Sequence, residues 1–204
     1  MNTFEKNIAA LREKYPGLVE KLLSKPILQD WEVHEDESGQ KTARYNMGNG
    51  LYRYIHSRIN VTEEADKWAA MKKHPTGTRI VLGFGLGYHV MALMRESPFR
   101  QIIVVEYDLG LFRIAMDTID LTPVLLDTRC LFLIGEALPA ARQLLGSFFQ
   151  DTISYSMFLP SIELHSQYYN GIRNILEDHI FKYRIYADPL LNESLKKLLQ
   201  ATVE

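Results

Sequence analysis

Residues 79–106 read RIVLGFGLGYHVMALMRESPFRQIIVVE, and this stretch decides the fold. A short apolar run, residues 79–83, breaks into a loop with glycine at positions 83, 85 and 87. Leu86, Val90, Leu93 and Met94 then recur at helical spacing until Ser97-Pro98 stops the helix. Residues 101–106 (QIIVVE) form a near-continuous β-branched run, the pattern of a strand covered on both faces. A strand, a short crossover helix and a second such strand make a βαβ unit, whose strands run parallel.

The same alternation continues downstream. A helix is expected over residues 109–118, a short helix or loop over 120–127, and a third strand over 129–134 (RCLFLI). A helix over 136–148 and a fourth strand over 152–157 follow. The remainder reads as helix, with a stripe at Leu164, Tyr168, Ile172, Ile175 and His179 and a last helix over 190–199. The fold class is therefore α/β, a Rossmann-like parallel sheet with helices on both faces and expected strand order 3-2-1-4. Such sheets bind ligands at the carboxyl ends of their strands, here near the first and fourth.

Upstream the pattern changes near residue 76. Phe4, Ile8, Leu11 and Tyr15 are spaced as a helix that Asn2 and Glu5 cap, and Pro16-Gly17 interrupts before a second short helix through Leu23. Residues 31–36 and 41–46 read as a hairpin around Ser38-Gly39, and residues 51–59 as strand or connector. Thr62 is the expected cap of a helix carrying Ala65, Trp68, Ala69 and Met71, which His74-Pro75-Thr76-Gly77 ends. Residues 1–75 thus form a helical and hairpin cap, 76–188 a Rossmann-like domain, and 189–204 a C-terminal helix.

Composition narrows the function. The 204 residues carry 23 Lys+Arg against 25 Asp+Glu, a net charge of −2 that gives no electrostatic support for nucleic acid or an anionic membrane as partner. A single cysteine, Cys130, forms no internal disulfide and reads as an inert buried thiol, in keeping with a cytoplasmic location. The N-terminus has charges among its apolar positions, unlike a signal peptide, and no apolar run is long enough to cross a bilayer. There is no H-E-x-x-H, paired cysteine or His/carboxylate cluster for a metal, and no G-x-S-x-G elbow, so neither a metal ligand nor a catalytic residue is assigned.

The glycine loop is the candidate site. Glycine there permits positive φ and close approach of a ligand to backbone, and the helix that follows offers unpaired N–H groups. Gly83, Gly85, Gly87, Tyr88 and His89 form its rim. Glu106, with Tyr107 beside it, ends the second strand 19 residues after Gly87 (106 − 87), the place of a ribose-binding acid. Gly135 and Glu136, after the third strand, stand where a base would lie. The structural alternatives are plain ones: glycines that serve packing, Glu106 or Asp108 capping the next helix, and Glu136 favoured at a helix start. A nicotinamide fingerprint is disfavoured because the sixth position holds Tyr88 or Val90, and no G-K-[ST] of a phosphate-loop NTPase is present.

Three resemblances sharpen the expectation. The G-x-G-x-G loop resembles the first motif of S-adenosylmethionine-dependent methyltransferases, although Val81 stands where those carry an acid. The aminopropyltransferases resemble the fold too, but their acidic pair has no counterpart in residues 152–157. More specifically, Tyr54-Ile55-His56-Ser57-Arg58, then Glu64-Ala65, then residues 81–89 (VLGFGLGYH), followed by IIVVEYDLGLFRIAM, resemble the N-terminal region of motility accessory factor (Maf) proteins. That family is implied to attach nonulosonic sugars to Ser/Thr of flagellin, through a transferase domain that follows this one. The resemblance implies a non-catalytic Rossmann-like module that binds a nucleotide-like ligand, S-adenosylmethionine or a CMP-sugar, and has flagellin or the downstream transferase domain as partner. A stand-alone methyltransferase and a pure interaction domain, with Trp31, Tyr45, Tyr52 and Tyr54 as contact face, are the alternatives.

Overall fold

The computed structural model describes residues 1–24, 30–71, 77–96, 101–149, 152–187 and 193. The expected stops at Pro26, His74-Pro75-Thr76 and Ser97-Pro98, and the segment 189–204 apart from residue 193, lie outside the described residues.

The four apolar runs form parallel strands: β4 (Thr78–Leu82), β5 (Gln101–Glu106), β6 (Cys130–Ile134) and β7 (Ile153–Met157). They lie in the order β6-β5-β4-β7, which is third, second, first and fourth, as the crossover pattern predicts. Every residue of β4 is buried, as a central strand requires. Alternate residues face opposite layers. Val81, Ile102, Val104 and Phe132 pack with α4 (Tyr88–Glu96) and α5 (Leu109–Thr118). Ile80, Leu82, Ile103, Val105 and Leu133 pack with α7 (Leu138–Gly146) and α9 (Ser166–Ala187). The short helices α6 (Thr122–Leu125) and α8 (Leu159–Leu164) complete the connections. Cys130 is buried, and that burial pushes its thiol up to about 12, the unreactive state expected of it.

The N-terminal part contributes α1 (Thr3–Arg12), α2 (Pro16–Ser24), an antiparallel sheet of β1 (Trp31–Glu35), β2 (Lys41–Gly48) and β3 (Leu51–Tyr54), and α3 (Val61–Met71). The Asn2–Glu5 capping box is present in both directions, at 2.9 Å each. Pro16 does not merely interrupt. It opens α2, because a first-turn proline has no N–H to leave unpaired. The α3 cap also differs from expectation. Asn60 Oδ1 accepts the Glu63 N–H at 2.9 Å, so Asn60 and not Thr62 terminates the helix, an asparagine amide being the stronger cap. Residues 51–54 are a strand, paired with β2 through Tyr54 opposite Arg44.

Packing is continuous across the change of pattern near residue 76. Ile8, Leu11, Val19 and Leu22 share one buried cluster with Val81, Val104 and Phe112. Asn7, fully buried, is the polar tie: its amide donates to the carbonyls of Met116 (2.9 Å) and Ile119 (2.7 Å) and accepts the Leu121 N–H (2.9 Å). Tyr15 covers the outer edge of β6, its hydroxyl accepting the Phe132 N–H at 3.1 Å, which closes a strand edge that would otherwise be open to pairing. Replacing Asn7 by Ala strands these groups, so Asn7→Ala is expected to cost about 2–4 kcal/mol of stability, seen as a lower urea midpoint at unchanged slope.

Candidate functional site

The three loop glycines adopt φ of +89°, +53° and +90° at positions 83, 85 and 87, a region L side chains rarely enter. What fills the space beside them is protein. A Cβ on Gly83 would stand 2.7 Å from Ser161 Cβ, and one on Gly85 would stand 2.7 Å from His56 Nε2 and 2.8 Å from the Phe158 ring. One on Gly87 would meet the Phe84 ring at 2.6 Å. The clearance at Gly83 and Gly85 is taken up by side chains from the β3–α3 connection and from α8 with the residue before it, and that at Gly87 by Phe84 and Leu121.

Four of the loop's N–H groups are also committed. Phe84 donates to Glu106 Oε2 at 2.8 Å, Leu86 to His56 Nε2 at 3.0 Å, Gly83 to the Val105 carbonyl and Gly87 to the Phe84 carbonyl, both at 2.8 Å. Since Nε2 of His56 accepts, its hydrogen sits on Nδ1, which lies 3.0 Å from Glu64 Oε2. Glu64 Oε2 accepts the Ser57 N–H as well, at 3.1 Å, and so fixes the ring from behind.

Glu106 is completely buried. Its second oxygen accepts the Asp108 N–H at 2.9 Å and the Tyr169 hydroxyl at 2.7 Å. Burial raises its carboxyl above the usual range, while the Phe84 and Asp108 amides and the Tyr169 hydroxyl oppose that without cancelling it. Asp108 is the cap of α5, accepting from Gly110 and Leu111 at 2.8 and 3.0 Å. Burial pushes Asp108 up, but His165 at 3.2 Å and these two amides outweigh it and hold the carboxyl low.

The predicted residues therefore divide. Gly83, Gly85, Gly87, His89 and Glu106 meet in one closed knot, held by their own hydrogen bonds and by His56. Tyr88 points elsewhere, its hydroxyl donating to the Lys41 carbonyl at 2.9 Å and so tying α4 to the hairpin. Burial raises that phenol to about 12. Gly135, at φ +66°, joins Glu106 through its backbone, donating to the Glu106 carbonyl at 2.8 Å. Glu136 turns to Lys21 on α2 at 3.1 Å. Glu136 also lines a cavity of about 530 Å³ beside α2, and Tyr107, 40 % exposed, opens on another of about 520 Å³, shared with Ala137, Leu138, Leu164, His165, Ser166, Gln167 and Tyr168. An adenosyl or nucleotide ligand at the glycine turn would have to displace His56, Phe158 and Ser161, which fill the space beside Gly83 and Gly85, and the Phe84 and Leu86 N–H groups it would meet are already bonded to Glu106 and His56. Among the described residues no His/Cys/Asp/Glu group is arranged to hold a metal, and no helix is long and apolar enough to cross a membrane.

Comparison with known proteins agrees with the fold. Residues 36–174 match the family described as the glycosyltransferase Maf N-terminal domain. The chain belongs to that family. An uncharacterized protein of Treponema pallidum (strain Nichols) is 23 % identical over 177 residues, covering 82 % of this chain and 59 % of the relative. The solved Maf glycosyltransferase from Magnetospirillum magneticum AMB-1 superimposes with a TM-score of 0.57 at 15 % identity, over 88 % of this chain and 35 % of that one. The chain thus spans less than two thirds of the length of either.

In this Maf domain, His56, Glu64, Phe158, Ser161 and Tyr169 are the site residues that the reading of the loop omits. His56 and Glu64 stand inside the family-like series of residues, which is the one signal that pointed to them; nothing local marks Phe158, Ser161 or Tyr169. His89 lies against this knot. Its ring stacks on Phe158 (4.0 Å, 11°), meets Trp68 edge-on at 4.8 Å, and its Nε2–H donates to the Gly83 carbonyl at 3.1 Å. Burial first, then repulsion from His56, lower it to about 3 against an ordinary 6.5, with the Gly83 bond opposing. Folding therefore favours the neutral ring: its contribution is complete above pH 6.5 and is lost as pH falls towards 3, at about 1.4 kcal/mol per pH unit. His89→Gln keeps a donor but does not titrate. The variant is expected to be less stable than the wild type at pH 8, through the lost stacking, with the difference shrinking or reversing below pH 5 in acid-series denaturation, to the extent of about 1–2 kcal/mol.

Proposed function

We propose that this chain is a non-catalytic N-terminal module of a bacterial protein that attaches nonulosonic sugars to flagellin in the cytoplasm. In this reading the Rossmann-like sheet supports a transferase domain and performs no transfer itself. One observation carries it: the groups that would hold a nucleotide at the glycine turn, the Phe84 and Leu86 N–H groups and the Glu106 carboxylate, are bonded to the protein's own side chains. Membership of the Maf N-terminal family supplies the context of glycosylation. The purified 204-residue chain, given flagellin with a CMP-linked nonulosonic donor or with S-adenosylmethionine, is expected to leave flagellin unmodified by mass spectrometry. Sugar or methyl transfer by this chain alone would overturn the reading.

A second role, presentation of flagellin, is favoured by the outer face of the antiparallel sheet. There Arg44 lies 3.9 Å from the Tyr52 ring and Arg58 lies 5.1 Å from the Tyr54 ring, with Glu32 holding Arg44 at 2.6 Å. Arginine and tyrosine of this kind are enriched at protein interfaces. Of the four aromatics first considered for that face, Trp31 is buried and packs on Tyr45 at 5.1 Å, whereas Tyr52 is 40 % exposed. Capture of flagellin by the chain is expected to drop at least tenfold in Arg44→Ala/Tyr52→Ala, with the circular dichroism spectrum retained. Equal capture by the variant would remove the presentation role.

A further inference from the structure

The cavity at Tyr107 lies beside the closed knot, at the carboxyl ends of β5 and β6, where open α/β sheets place their ligands. Its volume, about 520 Å³, is that of a small-molecule site. One wall is an immobilised aromatic platform: the Tyr107 ring stacks on Tyr168 (4.3 Å, 29°) and is met by His165 at 5.0 Å, yet remains 40 % exposed. Leu138 and Leu164 supply apolar flanks.

The polar groups of the cavity have capacity left over. The Tyr168 hydroxyl is buried without a hydrogen-bond partner, although buried phenols ordinarily find one. The side chains of Ser166 and Gln167 are exposed and make no hydrogen bond among the described residues, and His165 uses Nε2 on Asp108 while Nδ1 remains available. The neighbouring carboxylates, by contrast, are satisfied. Glu106 accepts from three donors, Asp108 from His165 and two amides, and Glu136 pairs with Lys21. What the cavity offers is a flat π-face and a set of hydroxyl and amide groups, with no unpaired carboxylate or lysine. That chemistry matches a ring bearing several hydroxyls: the ring's C–H or π surface lies on Tyr107, and its hydroxyls meet Ser166, Gln167 and the Nδ1 of His165.

We propose that the cavity of Tyr107, His165, Ser166, Gln167 and Tyr168 is a binding site for a sugar ring, either free or as part of a nucleoside. The site is separate from the glycine turn and does not depend on the transferase reading. The test is a titration of the full chain, followed by amide chemical shifts, with cytidine, adenosine and methyl glucoside as probes and inorganic phosphate as control. At least one ring probe is expected to shift the resonances of Tyr107 and residues 165–168 with millimolar or better affinity, and phosphate is not. A response to the nucleosides alone assigns the ring to a nucleoside, and a response to the glucoside alone to a free saccharide. Tyr107→Ala and, separately, Gln167→Ala are each expected to weaken binding about tenfold, both being exposed positions where the fold tolerates truncation. No shift with any ring probe at millimolar concentration overturns the proposal. So does binding that maps to residues 83–89, or binding unchanged in both variants.

Discussion

A carboxylate taken wholly out of water is costly, and the fold of this chain is arranged around one. Glu106 ends a central strand, and its two oxygens accept from the Phe84 amide in the glycine turn, the Asp108 amide at the start of α5, and the Tyr169 hydroxyl on α9. Three separate segments are thereby fixed to the carboxyl end of the sheet. Each of these donors, left without its acceptor, would cost about 1–3 kcal/mol, which is why the acid is held even though burial disfavours its charged form.

With Glu106 spent in this way, the glycine turn has a different use from the one its pattern suggests. Positive φ and absent Cβ atoms, features that admit a ligand in other α/β proteins, here admit His56, Phe158 and Ser161. His56 occupies the Leu86 N–H that a ligand oxygen would otherwise accept, and Glu64 and Ser57 brace it. The antiparallel sheet and α3 are thus joined to the Rossmann-like layer through the turn itself. Tyr88 adds a second join, to the Lys41 carbonyl, and Asn7 a third, between α1 and the end of α5. The N-terminal third is consequently part of the same core as the sheet, with Tyr15 protecting the edge of β6.

Closure of the turn leaves the neighbouring ground open. The Tyr107 cavity lies a residue away from Glu106 in sequence but on the outer side of it, between the start of α7 and the α8–α9 junction. Its wall is rigid because Tyr107, Tyr168 and His165 support one another, and rigid aromatic surface lowers the entropy lost on binding. Membership of the Maf N-terminal family and the structural likeness to the Magnetospirillum protein establish the fold and its relatives. The chemistry of this domain has to be read from its own side chains.

The sequence by itself determined the four parallel strands, their order and the hairpin, because strand and helix periods are local and a β-branched run between glycine and proline has few alternatives. It also located the glycine turn and the acid that faces it. Residues 51–54 were legible only as strand or connector, since an edge strand with both faces partly wet has no clean alternation. Whether the turn is open or closed was decided by tertiary structure alone. His56 meets Leu86 from 30 residues away, and Tyr169 meets Glu106 from 63 residues away. Hydrogen-bonding capacity can be counted in a sequence, but its partners are chosen by how distant segments pack, and no local pattern records that choice.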